Sequence, residues 1–271
     1  MSLEHSKALV PSVCRLSVII PTFNRRALTE RAVASVLSQT DPIGIELIIA
    51  DDGSRDGTAD HIENIFSDAI AQKKLSVLRC ARTGDPGATR NRGVAVSRGS
   101  FLAFLDSDDW WKPGRLLWLE PYLKKCDLLL ATDAHVGESA DWLMTFIESN
   151  WAITSSAVLR RTLFDEVGGF PEGYFGKPLP KRIPGFEDYE LWLKCLACLL
   201  KNDLKDHFKF LKNEHVASDP EPKGAGRMRL KMRMLREAAT LTRILPSLPP
   251  HYWPQTAKRI AGTGKGFFRG N

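Results

Sequence analysis

A chain of 271 residues, 43% hydrophobic and 26% charged, has the make-up of a soluble globular protein with length for one large domain or two small ones. No apolar run approaches the roughly 18 residues that cross a bilayer, and Met1 to Arg15 has no apolar segment of signal-peptide type. Five scattered cysteines, Cys14, Cys80, Cys126, Cys195 and Cys198, suit reduced thiols in a cytoplasm rather than a disulfide framework. The net charge of +6 is uneven: from Lys223 onward eleven Lys or Arg face one acid, Glu237. A basic tail on a slightly acidic body suggests an anionic partner surface, and phospholipid and nucleic acid both qualify electrostatically.

In chain order, Leu16–Ile20 reads as a buried strand closed by Pro21, and Leu28 to Gln39 has helical apolar spacing. Glu46–Ala50 is a second strand, and Thr58 to Ala71 a helix with Ile62, Ile65, Phe66 and Ala69 on one face. Leu75–Arg79, Pro86–Ser97 and Phe101–Leu105 continue as strand, helix, strand. This βαβαβαβ order predicts a parallel, doubly wound sheet with right-handed crossovers. Beyond Trp110 the rhythm changes. Pro113 to Lys125 reads as a helix, Leu128–Ala131 as a strand and Trp151–Leu159 as strand-like. A short helix over Thr162–Val167 stops at Gly168-Gly169, and Gly173–Gly185 is a Gly/Pro/Lys-rich loop suited to moving over a site. Glu187–Leu200 is a helix, Phe208–Leu211 a strand, and Arg227–Leu245 a basic helix. The expected divisions are an extension (1–15), a nucleotide-binding half (16–110), an acceptor-side half of the same domain (111–218) and a basic helical tail (219–271).

Chemistry concentrates at the strand ends. Phe101–Leu105 runs straight into Asp106-Ser107-Asp108-Asp109, three carboxylates within four positions. Such a cluster at the carboxyl end of a parallel strand sits where open α/β sheets bind ligands. Its charge is costly without a compensating cation, and hard oxygens without His or Cys beside them favour Mg²⁺ or Mn²⁺ shared with phosphate. A solvated acidic turn is the plain alternative. The first three strands end in Pro21-Thr22-Phe23-Asn24-Arg25, in Asp51-Asp52-Gly53-Ser54, and in Gly84-Asp85-Pro86-Gly87-Ala88-Thr89-Arg90-Asn91-Arg92-Gly93. Each alone could be a turn or a helix cap. Parallel strands aim all four ends at one crevice.

Taken in order, these motifs resemble family-2 glycosyltransferases, as do Ser155-Ser156, Val167-Gly168-Gly169-Phe170 and Phe186-Glu187-Asp188-Tyr189-Glu190-Leu191-Trp192 further on. The resemblance covers about Leu16 to Leu200. It implies a GT-A type α/β fold: a Rossmann-like, mostly parallel sheet flanked by helices, with a smaller acceptor-side region and a C-terminal helical tail. Pro21, Thr22 and Asn24 would then line the base and ribose end of a nucleotide-sugar pocket, with Asp52 accepting from the base, typically uracil. Arg90 would meet the diphosphate or sugar. Asp106 and Asp108 match the family's Asp-x-Asp, contacting ribose and a divalent metal (Mn²⁺ or Mg²⁺), with Asp109 able to share the metal role. Asp188, beside Glu187, would be the base that deprotonates an acceptor hydroxyl in an inverting displacement. His215 would be a further metal or phosphate contact. The plain readings are acids complementing a helix N-terminus for Glu187 and Asp188 and a lone surface histidine for His215.

The implied partners are a nucleotide sugar, UDP-linked, and a saccharide or lipid-linked acceptor of the cell envelope. Arg227, Arg229, Lys231, Arg233 and Arg236, interleaved with Met and Leu, suit docking on anionic lipid, or a solvated helix packed by its apolar face. That places the protein in the cytoplasm, peripheral on the inner face of the membrane, with no nucleic acid expected; self-association is compatible with the sequence. Trp142, Trp151, Tyr174 and Phe175 suit either sugar stacking or core packing. Cys195 and Cys198 have zinc spacing but no second pair, which makes them core residues, and Gly262–Gly266 lacks the full phosphate-loop pattern. The competing functions are a phosphohydrolase with Asp106 as nucleophile, which leaves Asp52 and Arg90 without a task, and a non-catalytic sugar- or lipid-binding module.

Overall fold

The computed structural model describes residues 15–133, 141–148, 152–172, 187–218, 240–242 and 244–268. Strands β1 (Leu16–Thr22), β2 (Ile45–Asp51), β3 (Leu75–Arg79) and β4 (Phe101–Phe104) alternate with helices α1 (Arg26–Leu37), α2 (Thr58–Ile65), α3 (Ser67–Ala71) and α4 (Pro86–Val96). There follow β5 (Asp109–Trp111), α5 (Arg115–Leu119), β6 (Leu128–Thr132), α6 (Trp142–Glu148), β7 (Val158–Arg160), α7 (Arg161–Glu166) and α8 (Glu187–Lys201). The chain continues through β8 (Phe208–Lys212), β9 (Val216–Ser218) and a C-terminal helix, α9 (Trp253–Phe268).

Seven strands form one sheet in the order β3-β2-β1-β4-β7-β6-β8, and β5 pairs with β9 in a separate ribbon. The first four strands are mutually parallel, β6 is parallel to β8, and β7 runs against both its neighbours. The sheet is therefore mostly parallel, as the alternating elements predict. Because β1 has β2 on one side and β4 on the other, a crevice opens between their carboxyl ends, the switch point where such sheets take ligands.

All seven residues of β1 are buried, because helices cover both faces. Ile19, Leu102, Phe104 and Leu130 join the side chains of α6, α7 and α8 in one core; Val18, Ile20, Leu47 and Ile49 join those of α1, α2 and α5 in the other. At about 1.5–3 kcal/mol per buried large aliphatic side chain, this two-sided burial dominates stability. Cys195 lies inside the first core and Cys198 packs against it.

Three local expectations are corrected, the first being the single helix over Thr58–Ala71, which breaks at Phe66 into α2 and α3. The segment 113–125 is α5 and a separate 3₁₀ turn, Tyr122–Lys124, because Pro121 cannot continue the helix. Within Trp151–Leu159 only the last two residues enter a strand; Thr154–Ser156 is a 3₁₀ turn whose hydroxyls compete for the hydrogen bonds a strand would use. Strands β5 and β9, of three residues each, are too short to show a period, and α6 was not anticipated. The loop 173–185, Trp151, Tyr174, Phe175 and the basic residues Arg227 to Arg236 lie outside the described residues.

Candidate active site

A cavity of about 430 Å³ opens at the switch point, lined by Pro21 and Thr22 of β1, by Phe23 and Arg25 just beyond it, by Asp52 just beyond β2 and by Arg82 in the loop after β3. Pro86, Thr89 and Arg90 of α4 enter from one side, with Asp106, Ser107 and Asp108 beyond β4 and Glu187 at the start of α8. Most of the anticipated residues thus converge on one volume.

The geometry follows from the local sequence. Gly53 turns the chain after β2 with φ +76°, a conformation L side chains rarely adopt, and a Cβ there would press on the Arg82 backbone at 3.2 Å. The turn lets Asp51 accept from Ser54 N at 2.8 Å. It also sends Asp52 across to the 82–84 loop, where its carboxylate accepts from Thr83 N at 2.7 Å, Thr83 Oγ1 at 2.8 Å and Gly84 N at 2.8 Å, and pairs with the Arg82 guanidinium. Burial alone would push the Asp52 carboxyl up, but the donors of Thr83 and Gly84 together with Arg82 hold it below its ordinary range. The Arg82 guanidinium in turn lies over the Phe23 ring, 3.3 Å from its centroid.

Helix α4 is capped by Asp85, which accepts from Gly87 N and Ala88 N, with Pro86 in its first turn. One turn in, Arg90 is buried between two acids: Nη2 donates to Asp106 Oδ1 at 2.6 Å and Nη1 to Glu187 Oε1 at 2.9 Å. Its next neighbour, Asn91, donates to Phe170 O at 2.9 Å and accepts from Phe170 N at 3.0 Å, holding the chain after Gly168-Gly169 against α4. Burial, reinforced by Asp188, raises the Glu187 pKa against the pull of Arg90. On the outer side of the cavity, Asp108 pairs with Arg25 Nη1 at 2.7 Å.

The structure separates the other candidates from this cavity. Asn24, at φ 52°, accepts from Arg55 N at 2.8 Å and its own N–H donates to Ser54 Oγ at 2.8 Å, so it ties two loops together rather than lining the cavity. Asp109 starts β5, and its buried carboxylate accepts from Ser155 Oγ. Burial and the neighbouring Asp106 and Asp108 push its pKa up despite the Ser155 and Ser218 hydroxyls. His215 is removed further: Asp109 faces Ser218 and Trp111 faces Val216, so His215 lies beyond the far end of β5. Its ring packs 4.9 Å from that of Trp118, and burial followed by the nearby Arg115 charge lowers its pKa. Glu187, not Asp188, lines the cavity; Asp188 Oδ2 accepts from Thr154 Oγ1 at 2.6 Å and Oδ1 from Tyr189 N at 2.6 Å.

Among the described residues, no three His, Cys, Asp or Glu side chains stand together as a ready cation cage. The donor set of Asp106 and Asp108 is two hard carboxylates on the cavity wall. That fits a divalent ion completed by phosphate oxygens.

A family model described as Glycosyl transferase family 2 matches residues 17–174. The chain belongs to that family. A Campylobacter jejuni GalNAc(5)-diNAcBac-PP-undecaprenol beta-1,3-glucosyltransferase is 37% identical over 102 residues, 38% of this chain and 32% of that protein. The succinoglycan biosynthesis protein ExoU of Rhizobium meliloti is 35% identical over 99 residues, 36% of this chain and 28% of that one. The chain thus spans about a third of the length of these relatives. Among solved structures, Staphylococcus aureus TarS 1-349 in complex with UDP aligns with TM-score 0.62 at 18% identity, covering 92% of this chain and 70% of that chain. The mannosyltransferase PcManGT of Pyrobaculum calidifontis, in complex with GDP-Man and Mn²⁺, aligns with TM-score 0.60 at 15% identity, covering 95% and 76%. The fold is that of GT-A glycosyltransferases.

Arg82, Phe23 and Thr154 were not assigned from sequence. Phe23 stood within a motif already singled out. Arg82, three residues past the end of β3, carried a usable signal: a cation in the loop leaving a strand's carboxyl end. Thr154 carried none.

Proposed function

We propose that this family-2 member transfers a monosaccharide from a nucleotide donor, UDP-linked, to a hydroxyl of a saccharide or lipid-linked envelope acceptor, with inversion at the anomeric carbon. One observation carries the reading: Asp52, Arg90, Asp106, Asp108 and Glu187, from four segments distant in sequence, line one cavity at the sheet's switch point. Relatives of the same fold bound to UDP and to GDP-Man with Mn²⁺ support it. The undecaprenol-linked name of the Campylobacter relative supports a lipid-linked acceptor.

In this reading Phe23, Asp52 and Arg82 bind the base, the flat ring and guanidinium stacking and the carboxylate accepting a ring N–H. Asp106 and Asp108 would hold a divalent ion, which would supply positive charge against the charge developing on the leaving group. Arg90 keeps Asp106 and Glu187 in place from below. Asp188 accepts the proton of the acceptor hydroxyl as its oxygen bonds to the anomeric carbon. The bond from that carbon to the diphosphate oxygen breaks and its electron pair leaves with the nucleoside diphosphate. An α-linked donor then yields a β-glycoside.

The described residues contain no helix long and apolar enough to cross a membrane. The basic segment from Lys223 on, with its eleven Lys or Arg, would hold the enzyme against anionic lipid on the cytoplasmic side. A thermal-shift and hydrolysis screen of nucleotide sugars with Mn²⁺ or Mg²⁺ tests the assignment. UDP-sugars should stabilise the protein and release UDP, and Asp188→Asn should lower turnover by about 10²–10⁴-fold. Turnover of phosphate esters without nucleotide-sugar turnover, or an Asp188→Asn enzyme within a few fold of wild type, would overturn it.

A further inference from the structure

Three consecutive hydroxyl residues, Thr154, Ser155 and Ser156, form one buried 3₁₀ turn, and each is bonded to a different part of the structure. Ser156 anchors the turn to the sheet: its Oγ accepts from Ala131 N at 3.1 Å and donates to Ile153 O at 2.6 Å. Arg115 Nη2, from a fully buried side chain, donates to Ser156 O at 2.6 Å. Ser155 reaches the acidic loop beyond β4, accepting from Asp106 N at 3.0 Å and donating to the buried Asp109 carboxylate. Thr154 reaches the other way, donating to Asp188 Oδ2 at 2.6 Å across 34 residues of sequence. Two adjacent residues therefore connect the Asp106–Asp109 loop with the start of α8.

We propose that Thr154 is a positioning residue for the acceptor base, its hydroxyl fixing the Asp188 carboxylate relative to the Asp106–Asp109 loop through the Ser155 clamp. This rests on the reading of Asp188 as base. The physical need is plain. An in-line displacement places the attacked carbon between the departing diphosphate and the acceptor oxygen, so the base must be registered against the loop that faces the leaving group. A carboxylate at the first turn of a helix can rotate about χ1 and χ2. With Tyr189 N on Oδ1 and Thr154 Oγ1 on Oδ2, both oxygens are held and the carboxylate plane is set. A misplacement of about 1 Å at a reacting group can cost on the order of 10²-fold in rate. Thr154 has no part in the donor cavity itself, being absent from its wall, so its effect should fall on turnover rather than on donor binding.

The plain competitor is a hydroxyl that merely steadies the first turn of α8. Steady-state UDP release is measured for wild type, Thr154→Val, Thr154→Ser, Asp188→Asn and the Thr154→Val/Asp188→Asn double variant. The probe is the UDP-sugar giving the fastest UDP release in the screen above. Thr154→Val should lower kcat by about 10–100-fold with donor KM within twofold of wild type, Thr154→Ser should restore most of the loss, and Thr154→Val should cost nothing further in the Asp188→Asn background. A loss that is additive with Asp188→Asn, a Thr154→Ser enzyme as poor as the valine variant, or a rise in donor KM matching the fall in kcat overturns the proposal while leaving Asp188 as base. A near-wild-type Asp188→Asn enzyme instead removes the base reading, and the proposal with it. Crystals of Thr154→Val give a check independent of turnover: the Asp188 carboxylate should turn from its present orientation, and an unchanged carboxylate overturns the inference.

Discussion

The floor and the rim of the same cavity carry charge in opposite ways. On the floor, Arg90 is 5% exposed and bridges Asp106 and Glu187. On the rim, Arg25 and Asp108 are 45% and 44% exposed, and Arg82 is 33% exposed although its partner Asp52 is buried. A buried guanidinium between two carboxylates cannot be withdrawn without stranding charge in a desolvated place, which costs several kcal/mol. A half-exposed pair gains little and yields readily to competitors. The floor is thus a fixed part of the scaffold, and the rim pairs are those that a diphosphate or cation would exchange in the proposed function.

That contrast is most easily broken at Arg90. Arg90→Gln should cost about 3–5 kcal/mol, lowering Tm on the order of 10 °C and abolishing nucleotide-sugar turnover; a variant melting with wild type would show the triad to be solvated. Asp52 comes next, because its carboxylate is buried even though its cation is not. Asp52→Asn should cost about 1–3 kcal/mol by leaving the donors of the 82–84 loop poorly matched. Its folded-state pKa lies below the ordinary 3.8. The stabilisation is therefore fully present above about pH 4 and fades as pH falls through the lowered value, because the unfolded chain takes up the proton first. Wild type and Asp52→Asn melting curves should converge as the pH falls below about 4; a constant gap would refute the linkage. The smallest effect belongs to Arg25. Arg25→Ala should change stability by less than about 1 kcal/mol and reduce the Mn²⁺ needed for half-maximal donor binding by a factor of about 2–5, since Asp108 no longer has to be released. An unchanged Mn²⁺ requirement would mean that Arg25 does not compete with the ion.

Much of this arrangement could be read along the chain. Runs such as Leu16–Ile20 and Phe101–Leu105 are apolar on both sides of the pleat, which only a sheet covered by helices accommodates, and each ends in residues with no reason to be buried unless they meet a ligand. Alternation of such strands with amphipathic helices leaves few topologies, and all of them bring the strand ends together. The acceptor side was less legible. Thr154–Ser156 lies in a stretch, Trp151–Leu159, that reads as strand because its Trp, Ile, Thr and Val have strand propensity, whereas its hydroxyls have partners 25 to 49 residues away. Strands β5 and β9 exist only because each pairs with the other.

Local pattern determined the parallel half of the sheet, its face-to-face burial and the acidic and basic character of the crevice, since these depend on hydrophobic period and on residue type at strand ends. Which carboxylate meets which guanidinium was settled only in three dimensions. Asp106, Asp108 and Asp109 are nearly equivalent in sequence, yet one lies on a buried arginine, one faces the rim and one turns inward to Ser155. The chain turns at Ser107 and Asp108, closed by Asp109 N donating to Asp106 O at 3.0 Å, so the three side chains leave it in different directions, and the surroundings that greet each direction come from segments far away in the chain.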